Sequence, residues 1–292
     1  MTAGQRSRSV ESMRDRRDAS NRRRTQIRQQ RWEQQRFAVP YPTDGPKISL
    51  GILWFVAVVG AGWLATPLLA AVVAGVAGLA AWQVGTSFQP IVDPAVASGI
   101  AVVIALSGVF GALGVGVGMV LGTIGAFLIV AGLASPEPVL DRRGRPVASH
   151  EALLHRGELL VRSSLPGAVA AASLVAIERL DFGGFVAIVV LISAYEIGDF
   201  LIGSGSANAV EGPVAGIVAL AVAGAGVYLV LPAPFDTNSF PLFAVLTAVA
   251  APLGQIAASA VLPRGVVWAP ALRRLDSSLL AAPLWLLLMP RV

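Results

Sequence analysis

After a polar stretch of 47 residues the chain becomes a near-continuous succession of apolar runs with short polar breaks. A helix needs about 20 apolar residues to cross the ~30 Å hydrocarbon core of a bilayer. Runs of that kind fall at 48–64, 66–84, 95–113, 115–134, 160–178, 183–203, 211–231, 240–262 and 277–290. The pattern predicts an all-α polytopic integral membrane protein of about nine transmembrane helices. Two regions follow from it: a basic arm over 1–47 and a transmembrane helical domain over 48–292. Only Thr66 and Pro67 separate the first two runs, and the last is short enough to be tilted, re-entrant or frayed.

Composition agrees with a lipid solvent, since 55% of the residues are hydrophobic and 13% charged, with a mean hydropathy of +0.71. That balance argues against a soluble fold. The net charge of +5 belongs mainly to the arm, where arginines such as Arg14, Arg16, Arg17, Arg22, Arg23 and Arg24 crowd ahead of Pro40, Pro42 and Pro46. The arm is too long and too polar for the n-region of a secretory signal. It reads as a topology anchor on the cytoplasmic side rather than a nucleic-acid site, and no nucleic-acid partner is expected. Counting spans from an inside N-terminus puts Arg142, Arg143, Arg145 and Arg156, and later Arg264, Arg273 and Arg274, in cytoplasmic connections, as the positive-inside rule requires. The expected location is therefore a plasma membrane, taken as bacterial. No cysteine is present and Lys47 is the only lysine, so thiolate chemistry is excluded everywhere and a lysine amine is excluded past that position.

Gly114, Gly118 and Gly122 recur every four residues, a spacing that lets two helix backbones approach closely in lipid. Lying inside an apolar run, they do not make a phosphate-cradling loop. Ionisable groups within spans are costly and usually face a cavity or a partner. Glu196 and Asp199, three residues apart after Tyr195, share one face of a helix near its cytoplasmic end. Glu211 follows a Ser-Gly-Ser-Ala-Asn connection, and Asp276 opens the last run beside Arg273 and Arg274. These acids serve either as interfacial caps and ion pairs or as candidate metal ligands. His150 and His155 are expected in a solvated loop, because a spacing of five does not bring two ligands onto one helix face. Glu178, Arg179 and Asp181 are expected to form a surface ion network at an outer turn.

In order and spacing, several short motifs resemble those of the CDP-diacylglycerol synthases, the phosphatidate cytidylyltransferases. They are Ala194-Tyr195 with Gly198, Glu211-Gly212 with Gly216, Gly254-Gln255 with Ser259, the closing Arg274, Asp276 and Ser277, and Ala81-Trp82-Gln83 at the end of the second run. The resemblance covers nearly everything after the arm. It implies a cytoplasmic-side cavity for a phospholipid nucleotidyltransfer, with Tyr195, Ser259, Arg264, Arg273, Arg274 and Ser277 around the substrate. It also implies Glu196, Asp199, Glu211 and Asp276 as the acids available to a metal. Departures fall on the chemistry. Leu191 stands where the family's first Asp belongs, Asn208 and Ala209 replace a Lys-Thr pair, Gln255 replaces a carboxylate, Leu262 and Pro263 replace a Lys-Arg pair, and Arg273 replaces the first Asp of the final signature. Cytidylyl transfer needs carboxylates for a divalent metal and cations for the triphosphate.

The expected function is a family-like membrane protein with lost or altered catalysis that binds an anionic phospholipid such as phosphatidic acid, or a partner, at that cavity; catalytic residues are not assigned. Alternatives are an active divergent cytidylyltransferase, for which alone magnesium and CTP are expected, and a transporter-like protein. A homodimer is compatible with all three.

Overall fold

The computed structural model describes residues 47–132, 149–204, 206, 208, 210–263 and 267–289. Every regular element among them is helical, and the hydropathic runs become helices for the reason the bilayer imposes: backbone N–H and C=O groups must be satisfied within the segment. In chain order these are α1 (Lys47–Leu64), α2 (Thr66–Thr86), α3 (Pro94–Ser107), a 3₁₀ turn (Gly108–Phe110), α4 (Gly111–Gly132), α5 (Ser149–Leu180), α6 (Phe182–Gly203), α7 (Glu211–Val230), α8 (Ser239–Val261), α9 (Pro270–Arg273) and α10 (Ser278–Leu288). Six runs are long and apolar enough to cross a membrane, Pro94–Gly132 being taken as one of them. Ser49–Leu64 and Ser278–Leu288 are shorter apolar helices.

Within Pro94–Gly132 the chain reverses. The 3₁₀ turn ends at Gly111, whose φ of 72° lies in the left-handed region that favours glycine. Beyond it α4 returns antiparallel along α3. A Cβ at Gly118 would collide with the side chain of Ser107 and one at Gly122 with Ile104, while Gly114 abuts the Ser107 carbonyl. The four-residue glycine ladder is thus the contact face of a helical hairpin, as its spacing predicts.

The longest helix, α5, is also the most enclosed; Ala168 and the run from Ala170 to Ile177 are buried, and α2, α3, α4, α6, α8 and α10 all pack on it. Two arginines, one in its first half and one next to its last residue, tie it to its neighbours. Arg162 donates through Nε to the Val261 carbonyl (2.8 Å) and through Nη2 to the Ala260 and Leu262 carbonyls (3.1 Å for Leu262) at the C-terminus of α8. Arg179 donates to the Val109 carbonyl in the 3₁₀ turn. Seventeen residues of helix place these cations about 26 Å apart, close to the thickness of a hydrocarbon core.

At the Arg179 end of the bundle Phe235, Phe240, Phe243 and Trp285 pack edge to face, and the Trp285 indole N–H donates to Thr247 Oγ1 (2.8 Å). This anchors α10, which is only 11 residues or about 16 Å long. Met289 reaches Gly184 at the start of α6, so α10 begins partway through the bundle rather than at its other face.

Two expectations change here. His150 and His155 lie on α5, which starts at Ser149 and extends its apolar span by a polar N-terminal segment; His155 Nδ1 sits 3.7 Å from Glu158. Helical hydrogen bonding continues past the apolar positions that hydropathy registers. The three outer-turn charges do not form a surface network either. Arg179 serves Val109, Asp181 accepts from the Gly184 N–H (2.8 Å) as the N-cap of α6, and Glu178 accepts from Thr66 while its Oε2 is buried without a hydrogen-bond partner.

Candidate functional site: a buried polar cluster

The C-terminal parts of α2, α6 and α8 and the turn between α9 and α10 meet at the Arg162 end of the bundle, where glycines remove the bulk that would hold them apart. A Cβ at Gly254 would strike the Asp276 carbonyl, so α8 accepts the turn directly against its backbone. On the other side, Gly198 faces Ala215, and a Cβ at Gly216 would lie 2.7 Å from the Tyr195 ring, which sets α6 and α7 in close contact.

Into this space project polar side chains from three parts of the chain. Asp199 lies four residues from the end of α6, about 6 Å along the helix, and Gln255 six residues from the end of α8, about 9 Å. Both are buried, as are Tyr195, Ser259, Asp276 and Ser277. The Gln255 amide bridges two of them, donating from Nε2 to Asp199 Oδ2 (3.0 Å) and accepting at Oε1 from the Tyr195 hydroxyl (3.0 Å). Arg273 enters from the end of α9. Its Nη2 donates to Ser259 Oγ (3.1 Å), its Nη1 reaches the Gln255 carbonyl (3.5 Å), and Nη1 lies 3.6 Å from Asp276 Oδ2. Asp276 also accepts from the Ser277 N–H (2.7 Å), and the Ser277 hydroxyl stands between the carboxyls of Asp276 and Glu196. Glu196 is half-buried and feels the charges of Asp276, Arg274 and Asp199. Across the cluster, Gln83 Oε1 of α2 accepts from the Ala271 N–H (3.0 Å), fixing the start of α9.

Tyr195, Glu196, Asp199, Ser259, Arg273, Arg274, Asp276 and Ser277 therefore share one assembly. Glu211 is set differently: it is exposed at the N-terminus of α7 and its Oε2 accepts from Ser206 Oγ (2.6 Å). Arg264 lies outside the described residues, as do Arg142, Arg143 and Arg145. Arg162, which holds the C-terminus of α8 and stacks its guanidinium 5.3 Å from the Phe88 ring centroid, belongs to the same end of the bundle. Its signal in the sequence was a lone arginine just inside an apolar run, a position that demands a partner.

In this arrangement the charges largely spend themselves on one another. Asp199 is engaged by an amide, Asp276 by a guanidinium and a hydroxyl, and among the described residues no three acidic or imidazole groups converge closely enough to hold a metal ion. Arg274 differs from Arg273: it is half-buried, its guanidinium makes no hydrogen bond among the described residues, and Glu196 is its charged neighbour. Compared with models of known protein families, with curated protein sequences and with solved structures, the chain has no match.

Proposed function

We propose that the chain is a membrane protein related to the phosphatidate cytidylyltransferases in which catalysis has been lost and the polar cluster, on the cytoplasmic side, binds the headgroup of an anionic phospholipid such as phosphatidic acid. One observation carries the reading. The short motifs that suggest the relationship come together in space, Gly216 on Tyr195 and Gly254 on Asp276, while Gln255 at their centre presents an amide to Asp199 where nucleotidyl transfer wants a metal-binding carboxylate.

Arg274 supplies the charge for the headgroup, helped by Arg264, because a guanidinium pairs two phosphate oxygens at once and stays charged when partly desolvated. Arg273 has the different task of holding Ser259 and Asp276 in place. In the rival reading, an active enzyme, Glu196, Asp199 and Asp276 turn toward magnesium.

Two measurements on the purified full chain separate these. Incubated with phosphatidic acid, magnesium and labelled CTP, it forms no CDP-diacylglycerol; turnover like that of an ordinary cytidylyltransferase sinks the proposal. Titrated with fluorescent phosphatidic acid in detergent, Arg274→Ala loses about 1.5–3 kcal/mol of binding, roughly 10- to 150-fold, whereas Arg142→Ala stays near wild type. Equal small losses at both positions reduce the arginines to topology signals.

A further inference from the structure

The acids of the polar cluster differ in how far a ligand can reach them. Asp199 and Asp276 are buried, the first against the Gln255 amide and the second against Arg273 and Ser277. Glu196 is only half-buried; it shares the Ser277 hydroxyl, and its cationic neighbour is the half-buried Arg274. The other guanidinia at this end of the bundle are turned elsewhere, Arg273 to Ser259 and Asp276 and Arg162 to the α8 carbonyls. A headgroup entering the cluster therefore meets a guanidinium and a carboxylate together, those of Arg274 and Glu196.

That pairing restricts what can bind. In the described part of the cluster the carboxyls of Glu196, Asp199 and Asp276 stand against the guanidinia of Arg273 and Arg274, so negative charge is already in excess where a phosphate would sit. A phosphomonoester carries about 1.5–2 negative charges near neutral pH and offers Glu196 no strong donor, so its gain at Arg274 is offset by repulsion from the carboxylate. A phosphodiester carries a single charge. Where the group beyond its phosphate ends in a hydroxyl or an ammonium, that donor meets Glu196 while the phosphate meets Arg274. Depth sharpens the difference: Glu196 lies seven residues before the end of α6, about 10 Å along the helix, where a polar group that has left water without gaining a partner is costly.

Resting on the headgroup-binding reading above, we propose that Glu196 selects the ligand: the site prefers an anionic phosphodiester whose headgroup bears a hydroxyl or ammonium donor to phosphatidic acid, with the phosphate on Arg274 and the donor on Glu196. Asp199 cannot take that part, because it is buried and already accepts from Gln255. Asp276 cannot either, being buried against Arg273. A hydrogen bond from the headgroup to an ionised carboxylate changes affinity by about tenfold or more.

Titrating the purified full chain in detergent with fluorescent phosphatidic acid, phosphatidylmethanol, phosphatidylglycerol and phosphatidylserine tests this. Phosphatidylmethanol is a phosphodiester without a donor and separates charge from hydrogen bonding; phosphatidylglycerol and phosphatidylserine separate a hydroxyl from an ammonium. Wild type should bind at least one of the two donor lipids about tenfold more tightly than phosphatidic acid or phosphatidylmethanol, an order read without any variant. Glu196→Gln should remove that margin and hold phosphatidic acid more tightly than wild type does, whereas Glu196→Asp, which keeps the charge, should keep the order. Phosphatidic acid or phosphatidylmethanol bound as tightly as both donor lipids in wild type, or an order unchanged in Glu196→Gln, overturns the proposal. Wild-type binding of all four lipids no stronger than that of Arg274→Ala sinks the headgroup-binding reading itself, and the selectivity with it.

Discussion

Replacing Arg162 by alanine tests whether the polar end of the bundle depends on a single cation. Three carbonyls at the C-terminus of α8 receive hydrogen bonds from this one guanidinium, and helix C-termini present their last carbonyls without intrahelical donors. A charged hydrogen bond contributes about 1.5–3 kcal/mol net, of which the favourable cation–dipole term at a partly buried helix end is a part rather than an addition. The Phe88 face adds about 0.5–1 kcal/mol. Loss of the side chain is therefore expected to cost about 2–4 kcal/mol, a roughly 30- to 900-fold shift in the unfolding equilibrium. Reversible denaturation in mixed micelles, followed by circular dichroism, measures it. Arg162→Lys keeps the charge but not the fork, and should recover about half. Arg179→Ala, which removes one bond at an exposed site, should cost under about 1 kcal/mol. An Arg162→Ala protein within about 0.5 kcal/mol of wild type refutes the clamp.

Gly216→Val forces a methyl-bearing carbon into the Tyr195 ring and should destabilise by about 1–3 kcal/mol in the same assay, while Gly226→Val, in open surroundings, should not. Gln255→Leu removes the bridge between Tyr195 and Asp199 inside the bundle; a cost of about 2–4 kcal/mol is expected, and a neutral result would mean that water readily replaces the amide. Outside the spans, the Ser239 N–H and hydroxyl and the Asn238 N–H hold the Asp236 carboxyl below the usual carboxylate range. A pKa depressed by folding gives stability that is present above the unfolded value and lost as pH falls through the folded one; Asp236→Asn should flatten that acid-side decline, and an unaltered profile would count against it. For topology, a reporter fused at Ser149 should lie in the cytoplasm and one at Asp236 outside, and the reverse would invert the proposed side of the cluster.

Much of the architecture was legible because the bilayer makes hydropathy a direct record of length. The break at Thr66-Pro67, the close helix pair at Gly114, Gly118 and Gly122, and the shared face of Glu196 and Asp199 each rest on a local rule. Less local features were hidden. Among so many glycines, the one that takes a positive φ, Gly111, carries no distinguishing mark, since its role depends on where α4 docks. Polar residues ahead of Leu159 disguised the start of α5 as a loop, although helical hydrogen bonding ignores hydropathy. In the cluster, residue identities suggested which groups belong together but not how they pair. That Gln255 faces both Tyr195 and Asp199, or that Arg273 prefers Ser259 and Asp276, follows from the turn at 274–277 pressing onto Gly254. Such contacts join parts of the chain far apart in sequence, and no periodicity encodes them.

The late position of α9 and α10 in the chain has a bearing on biogenesis. Asp199 and Gln255 enter the membrane well before Arg273 and Asp276 are synthesised. Until the last segment arrives, Gln255, Asp199 and Tyr195 can pair with one another, but Ser259 lacks the Arg273 guanidinium and Glu196 lacks the Arg274 charge that face them in the finished fold. Completion of the cluster is therefore the last step of assembly, and a chain halted before Arg273 keeps the α6–α8 pairing while leaving Glu196 without its cationic neighbour.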